Sequence, residues 1–118
     1  MKDVLITSAK RTAVGSLGKS LKNISAAELG SAVITNVVDE LKIKKSDIDE
    51  VIMGQVLTGS TGQNPARQAS IKSGIPKEKP AYVVNQVCGS GIRSVAAGYQ
   101  SIRSGDSKIV VAGGQENM

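Results

Sequence analysis

Four short apolar runs are spaced along the chain: residues 3–9 (DVLITSA), 51–57 (VIMGQVL), 81–86 (AYVVNQ) and 109–112 (IVVA). Each is nearly continuous rather than alternating, as in strands covered on both faces. Segments of helical character separate them. Ser25-Ala26-Ala27-Glu28 has the form of a capping box. Behind it Leu29, Val33, Val37 and Leu41 recur at i, i+4, with Ile34 and Val38 beside them. That spacing predicts an amphipathic helix of about four turns. Pro65 suits the first position of a helix over residues 65–73, which Gly74 ends. A third helix is predicted over residues 88–104, stopped by Gly105-Asp106. Residues 10–23 and 59–64 read as polar, Gly-containing loops. The order βαβαβαβ implies an α/β fold with a mostly parallel sheet and right-handed crossovers.

Composition closes several routes. Two Tyr are the only aromatics, so the core is built from Val, Ile, Leu and Ala. No apolar run approaches the roughly 20 residues of a membrane helix. Met1-Lys2-Asp3 opens no secretory apolar segment, which predicts a cytoplasmic protein without a membrane partner. One Cys excludes an internal disulfide. The absence of His excludes a Ser-His or Cys-His pair and a His-ligated metal within these residues, and no metal is expected. The net charge of +5 could suit an anionic partner. The basic cluster Lys42, Lys44 and Lys45 is, however, followed at once by Asp47, Asp49 and Glu50, the pattern of a mixed solvated surface. With no nucleic-acid module or aromatic platform, no nucleic-acid partner is expected.

The third helix is the unusual element. Ile92, Val95, Ala96, Tyr99 and Ile102 form an apolar stripe, while Gly91, Ser94, Ala97, Gly98 and Ser101 make most of the remaining girth small. Such a helix suits burial, with other backbones packed close. Its packing partners are not evident within 118 residues. The run 109–112 also lacks a covering helix after it. Both features suggest the N-terminal portion of something larger. The alternative is a small complete domain with a bare edge.

Cys88 lies at the junction between the third run and this helix. A helix N-terminus offers unpaired N–H groups and the positive end of the dipole, which favour a thiolate and can stabilise an oxyanion. Gly89 and Gly91 clear space for a substrate. The residue reads equally as a reactive thiol or an inert structural one. Gly89-Ser90-Gly91 lacks the third Gly of a dinucleotide fingerprint, since Ser94 stands in its place, and no Walker spacing occurs. Gly113-Gly114 reads as a tight turn or as a close approach to an active site.

Four segments carry a resemblance. Asn85-Gln86-Val87-Cys88-Gly89-Ser90-Gly91 is similar to the nucleophile segment of the thiolases. Arg11-Thr12-Ala13-Val14-Gly15 resembles their first loop, and Gly62-Gln63-Asn64-Pro65-Ala66-Arg67-Gln68 the entry to their second helix. Gly113-Gly114-Gln115-Glu116-Asn117-Met118 resembles the Gly-Gly-x-Glu segment leading into their substrate loops. Order and spacing match, most nearly those of bacterial biosynthetic acetyltransferases of the family.

The resemblance implies a thiolase-like N-terminal half, with buried helices sandwiched between two sheets. Residues 1–118 would then be an incomplete N-terminal domain, without the loop domain and C-terminal half. It implies condensation of two acetyl-CoA to acetoacetyl-CoA and CoA, reversibly, with Cys88 as the acyl-thioester nucleophile and its N–H as an oxyanion donor. Coenzyme A thioesters would be substrates, with no separate cofactor. The partners implied are the rest of the thiolase chain and further copies, as a homodimer or homotetramer. The family's catalytic His residues, second Cys and oxyanion Asn have no counterpart here, so this segment alone is expected to be inactive. A ketosynthase-type fragment and a stand-alone binding or scaffold domain with a structural Cys are the competing readings.

Overall fold

The computed structural model describes residues 3–118. Helices and strands alternate: α1 (Ala26–Leu41), β1 (Glu50–Gly54), α2 (Pro65–Lys72), β2 (Ala81–Val84), α3 (Ser90–Ser104) and β3 (Val110–Gly114). The strands form one sheet in the order β2-β1-β3, parallel at both pairings. The α/β class and the parallel sheet agree with the sequence.

Local chemistry sets the helix ends. Ser25 Oγ accepts the Glu28 N–H at 3.2 Å, and Glu28 Oε2 accepts the Ser25 N–H at 2.8 Å, closing the capping box. Asn64 Oδ1 caps α2 by accepting the Arg67 N–H at 3.1 Å, ahead of Pro65 in the first turn. The Arg67 guanidinium donates to the Lys77 and Lys79 carbonyls, fastening α2 to the approach to β2. Gly74 takes the left-handed conformation just beyond α2 (φ +79°).

The sheet separates two packing layers. Val51 and Met53 of β1 point to one face and meet Ile34 and Val38 of α1, Ala66 and Ala69 of α2, and Ile48 and Ile75. Nearly all these side chains are fully buried. Ile52 and Gly54 alternate to the opposite face, where α3 lies. The small residues of α3 face the sheet: Ser90, Ser94 and Gly98 are its buried positions. A Cβ on Gly98 would stand 3.1 Å from Val110 Cγ1, so the helix rides close to β3.

The first predicted strand requires correction. Residues 3–9 carry no strand, and among the described residues the sheet has three strands rather than four. Leu5 and Ile6 are 75% and 80% exposed. The run is attached instead through Ser8 Oγ and Lys10 Nζ, which meet Glu40 at 2.5 and 2.9 Å. An apolar run supplies side chains that fit a sheet, but a strand exists only when another edge satisfies its backbone groups. None of the three strands pairs with it. The strand predicted to end at Leu57 ends at Gly54; beyond it the Val56 N–H is taken by the Glu116 carboxylate rather than by a neighbouring strand.

The apolar stripe of α3 faces away from the sheet. Ile92 is 77% exposed and Tyr99 49%. The sequence predicted a helix needing partners on several sides, and the structure supplies only the sheet side.

Candidate active site

In a parallel α/β sheet, the carboxyl ends of the strands and the following helix N-termini converge at one edge. Here β1, β2 and β3 end at Gly54, Val84 and Gly114, with the first turn of α3 between them. The contact is backbone against backbone. A Cβ on Gly114 would lie 3.3 Å from Gly91 Cα. Gly113-Gly114 is therefore a close approach within β3, not a tight turn. Ser94 fastens the same contact: its fully buried Oγ lies 2.6 Å from both the Gly91 and Gly113 carbonyl oxygens, donating to one at a time. That is its use at the position where a dinucleotide motif would carry Gly.

Cys88 is a free, exposed thiol on the turn into α3. Helix α3 begins at Ser90 rather than at Cys88, with Gly89 as an N-cap that contributes no side-chain acceptor. The preceding residue is unusual. Val87 has φ +50°, a region β-branched residues rarely enter. Such a conformation costs about 1–3 kcal/mol and persists only where its surroundings impose it.

Neighbouring side chains impose it. Asn85 Oδ1 accepts the Val87 N–H at 3.0 Å. Asn85 Nδ2 donates to the Val56 carbonyl at 3.2 Å. Ser90 Oγ accepts the Gln86 N–H at 2.8 Å and donates to the Val87 carbonyl at 2.6 Å. The turn that presents Cys88 is thus held from the segment just after β1 and from inside α3.

The segment after β3 completes the edge. Glu116 receives the N–H groups of Val56 at 2.7 Å and Leu57 at 3.2 Å. Gln115 is buried and donates to Gln55 Oε1 at 2.9 Å and the Pro65 carbonyl at 3.1 Å. Its Oε1 rests against Gly30 of α1, where a Cβ would stand only 1.9 Å away. Asn117 Nδ2 donates to the Leu21 and Ile24 carbonyls. Sequence reasoning singled out the glycines of this segment but gave no roles to Gln115, Glu116 or Asn117. Consecutive polar side chains directly after an apolar strand were the available signal.

A groove of about 390 Å³ lined by Thr58, Gly62, Asn64, Pro65, Val83 and Asn85 opens at this end. A larger one, about 660 Å³, is lined by Asp49, Glu50, Tyr82, Gln100, Asp106 and others at the opposite end of the strands, away from Cys88. The described residues contain no group of three or more His, Cys, Asp or Glu able to hold a metal, and no helix long and apolar enough to cross a membrane.

Residues 4–118 match the family described as thiolase, N-terminal domain. The chain belongs to the thiolase family. Among curated thiolase relatives, acetyl-CoA acetyltransferases of Pseudomonas aeruginosa and Cupriavidus necator are 54% and 55% identical over the whole chain. The chain spans 30% of the length of each. A thiolase of Ascaris suum, solved in complex with coenzyme A, superimposes with a TM-score of 0.82 at 39% identity, over 84% of this chain and 26% of that one. An acetyl-CoA acetyltransferase of Bacillus anthracis superimposes with a TM-score of 0.81 at 32% identity, over 85% and 25%. The thiolase fold expected from the sequence is thereby shown.

Proposed function

We propose that the protein carrying this chain is an acetyl-CoA acetyltransferase in which Cys88 is the nucleophile. The observation that carries the reading is the exposed Cys88 thiol on a strained turn at the α3 N-terminus, where three parallel strands end. The names of the close relatives supply the substrate class.

In the first half-reaction the Cys88 thiolate attacks the carbonyl carbon of acetyl-CoA. The Cys88 N–H is the donor for the negative oxygen that forms, since the Val87, Gly89 and Ser90 N–H groups are already bonded within the turn. The C–S bond to CoA breaks, CoA leaves as a thiol after taking the proton that the Cys88 thiol had given up to a base of the rest of the polypeptide, and the acetyl group remains on Cys88. In the second, a base removes an α-proton from another acetyl-CoA. The carbanion attacks the thioester in a Claisen condensation, and the Cys88 sulfur leaves with acetoacetyl-CoA formed. Dividing the transfer lowers the barrier of each step. The acid and base belong to the rest of the polypeptide, because this chain has no His and no second Cys. A cytoplasmic homodimer or homotetramer with no further cofactor completes the proposal.

The test is thiolysis of acetoacetyl-CoA by the full-length protein and its Cys88→Ser variant. A serine hydroxyl is a far weaker nucleophile at neutral pH, so the rate should fall by several orders of magnitude. Retained activity in Cys88→Ser would overturn the assignment.

A further inference from the structure

Glu116 does not reach Cys88, but it stands at the head of a chain of hydrogen bonds that runs to Val87, the residue immediately before it. Its two carboxylate oxygens hold the N–H groups of Val56 and Leu57. The Val56 peptide is gripped from both sides, since its carbonyl accepts Asn85 Nδ2. That bond orients the Asn85 amide so that its Oδ1 faces the Val87 N–H. Val87 in turn sits in the strained left-handed conformation immediately before Cys88.

We infer that Glu116 is a positioning residue for the Cys88 turn, acting through Val56 and Asn85. This rests on the reading of Cys88 as nucleophile. The physical case is one of over-determination. A left-handed Val relaxes unless its neighbours forbid it. The Asn85 amide enforces it only while the Val56 carbonyl stays in place. A bond to a carboxylate is among the stronger ways to hold a backbone N–H, and Glu116 makes two at adjacent residues.

The experiment is amide hydrogen exchange on the full-length protein, with acetyl-transfer kinetics in parallel, for Glu116→Gln, Asn85→Asp and the double variant. A Gln offers a single acceptor oxygen, and Asn85→Asp keeps the acceptor for Val87 while removing the donor to Val56. Glu116→Gln should speed exchange at Val56, Leu57, Val87 and Gly89 by about tenfold, the scale of one lost charge-assisted bond. Protection in α1 at Ile34 and Val38 should be unchanged. Asn85→Asp should speed Val87 and Gly89 similarly, and the double variant should add less than the sum of the two. Acetyl transfer should lose kcat while KM moves by no more than about twofold. Unchanged exchange at Val87 and Gly89 in Glu116→Gln, or full additivity in the double variant, would overturn the relay. Should Glu116→Gln lose protection in α1 as well, Asn85→Asp decides the matter alone: unchanged Val87 and Gly89 amides in that variant refute the relay. Coupled exchange in a protein whose Cys88→Ser variant stays active would sink the nucleophile and leave the relay standing.

Discussion

Gly54 and Ser90 meet backbone to backbone: a Cβ on Gly54 would lie 2.4 Å from the Ser90 carbonyl carbon and 2.7 Å from the Gly91 nitrogen. Neither atom belongs to a side chain that could swing aside. Gly54→Ala must therefore push the first turn of α3, and Cys88 with it, off the end of the sheet. The expected loss is about 1–3 kcal/mol or more, as for other overpacked cores. Gly59→Ala is the control, since nothing lies within 4 Å of its added Cβ. It should stay within about 0.5 kcal/mol. Thermal unfolding of the two full-length variants decides, and a Gly54→Ala protein as stable as Gly59→Ala would refute the contact.

Ser94 offers a second check on the same seam. Its hydroxyl has no solvent to turn to, and the carbonyls of Gly91 and Gly113 both lie 2.6 Å away. Ser94→Ala removes this donor and should lower stability by about 1–2 kcal/mol. Ser94→Val keeps that loss and adds volume where none is free, so it should unfold earlier still. A Val variant as stable as the Ala variant would show that α3 is less tightly seated on β3.

Asp49 should shape the acid limb of stability. The N–H groups of Lys108 and Ile109 hold its carboxyl below the usual aspartate range, with Lys79 adding a smaller pull. A carboxyl more acidic in the folded state makes the unfolded chain bind more protons, so stability rises with pH across that interval. The increment is present above the ordinary aspartate value of about 4 and is lost as pH falls through the folded value. Asp49→Asn should flatten the acid limb in a series of thermal midpoints taken downward from about pH 5. The wild-type slope surviving in Asp49→Asn would assign it to other carboxyls, of which Glu28 and Glu40 are also held low.

The outward face of α3 predicts the behaviour of residues 1–118 expressed alone. Ile92, Val95 and Tyr99 form an exposed apolar strip of a kind that soluble monomers rarely present. The isolated segment should bind apolar dyes and self-associate. Replacing Ile92 and Tyr99 by Glu should suppress both without reducing helix content, because neither side chain supports the sheet contact. A monomer that ignores such dyes would count against this arrangement of α3.

The elements legible in the sequence are those whose determinants lie within a few residues. Ser25 and Glu28 cap each other, Asn64 caps the helix that Pro65 opens, and Gly74 stops it. The runs that became β1, β2 and β3 were also legible, because each is a short apolar stretch between helical segments, although only the central β1 is buried along nearly all its length. The Cys88 junction followed from where a run met a helix. Tertiary structure alone decided the rest. Residues 3–9 have the composition of a strand, yet strand formation depends on a paired edge that local pattern does not encode. The sequence showed a helix suited to burial on most sides without showing which face meets the sheet; because small residues let backbones approach, Ser90, Ser94 and Gly98 took it. The left-handed Val87 runs against its own local preference. It is imposed by Asn85, whose amide is aligned by Val56, which Glu116 grips from 60 residues further along the chain. Local propensity is a property of neighbours in sequence, and the geometry at Cys88 is set by groups that only folding brings together.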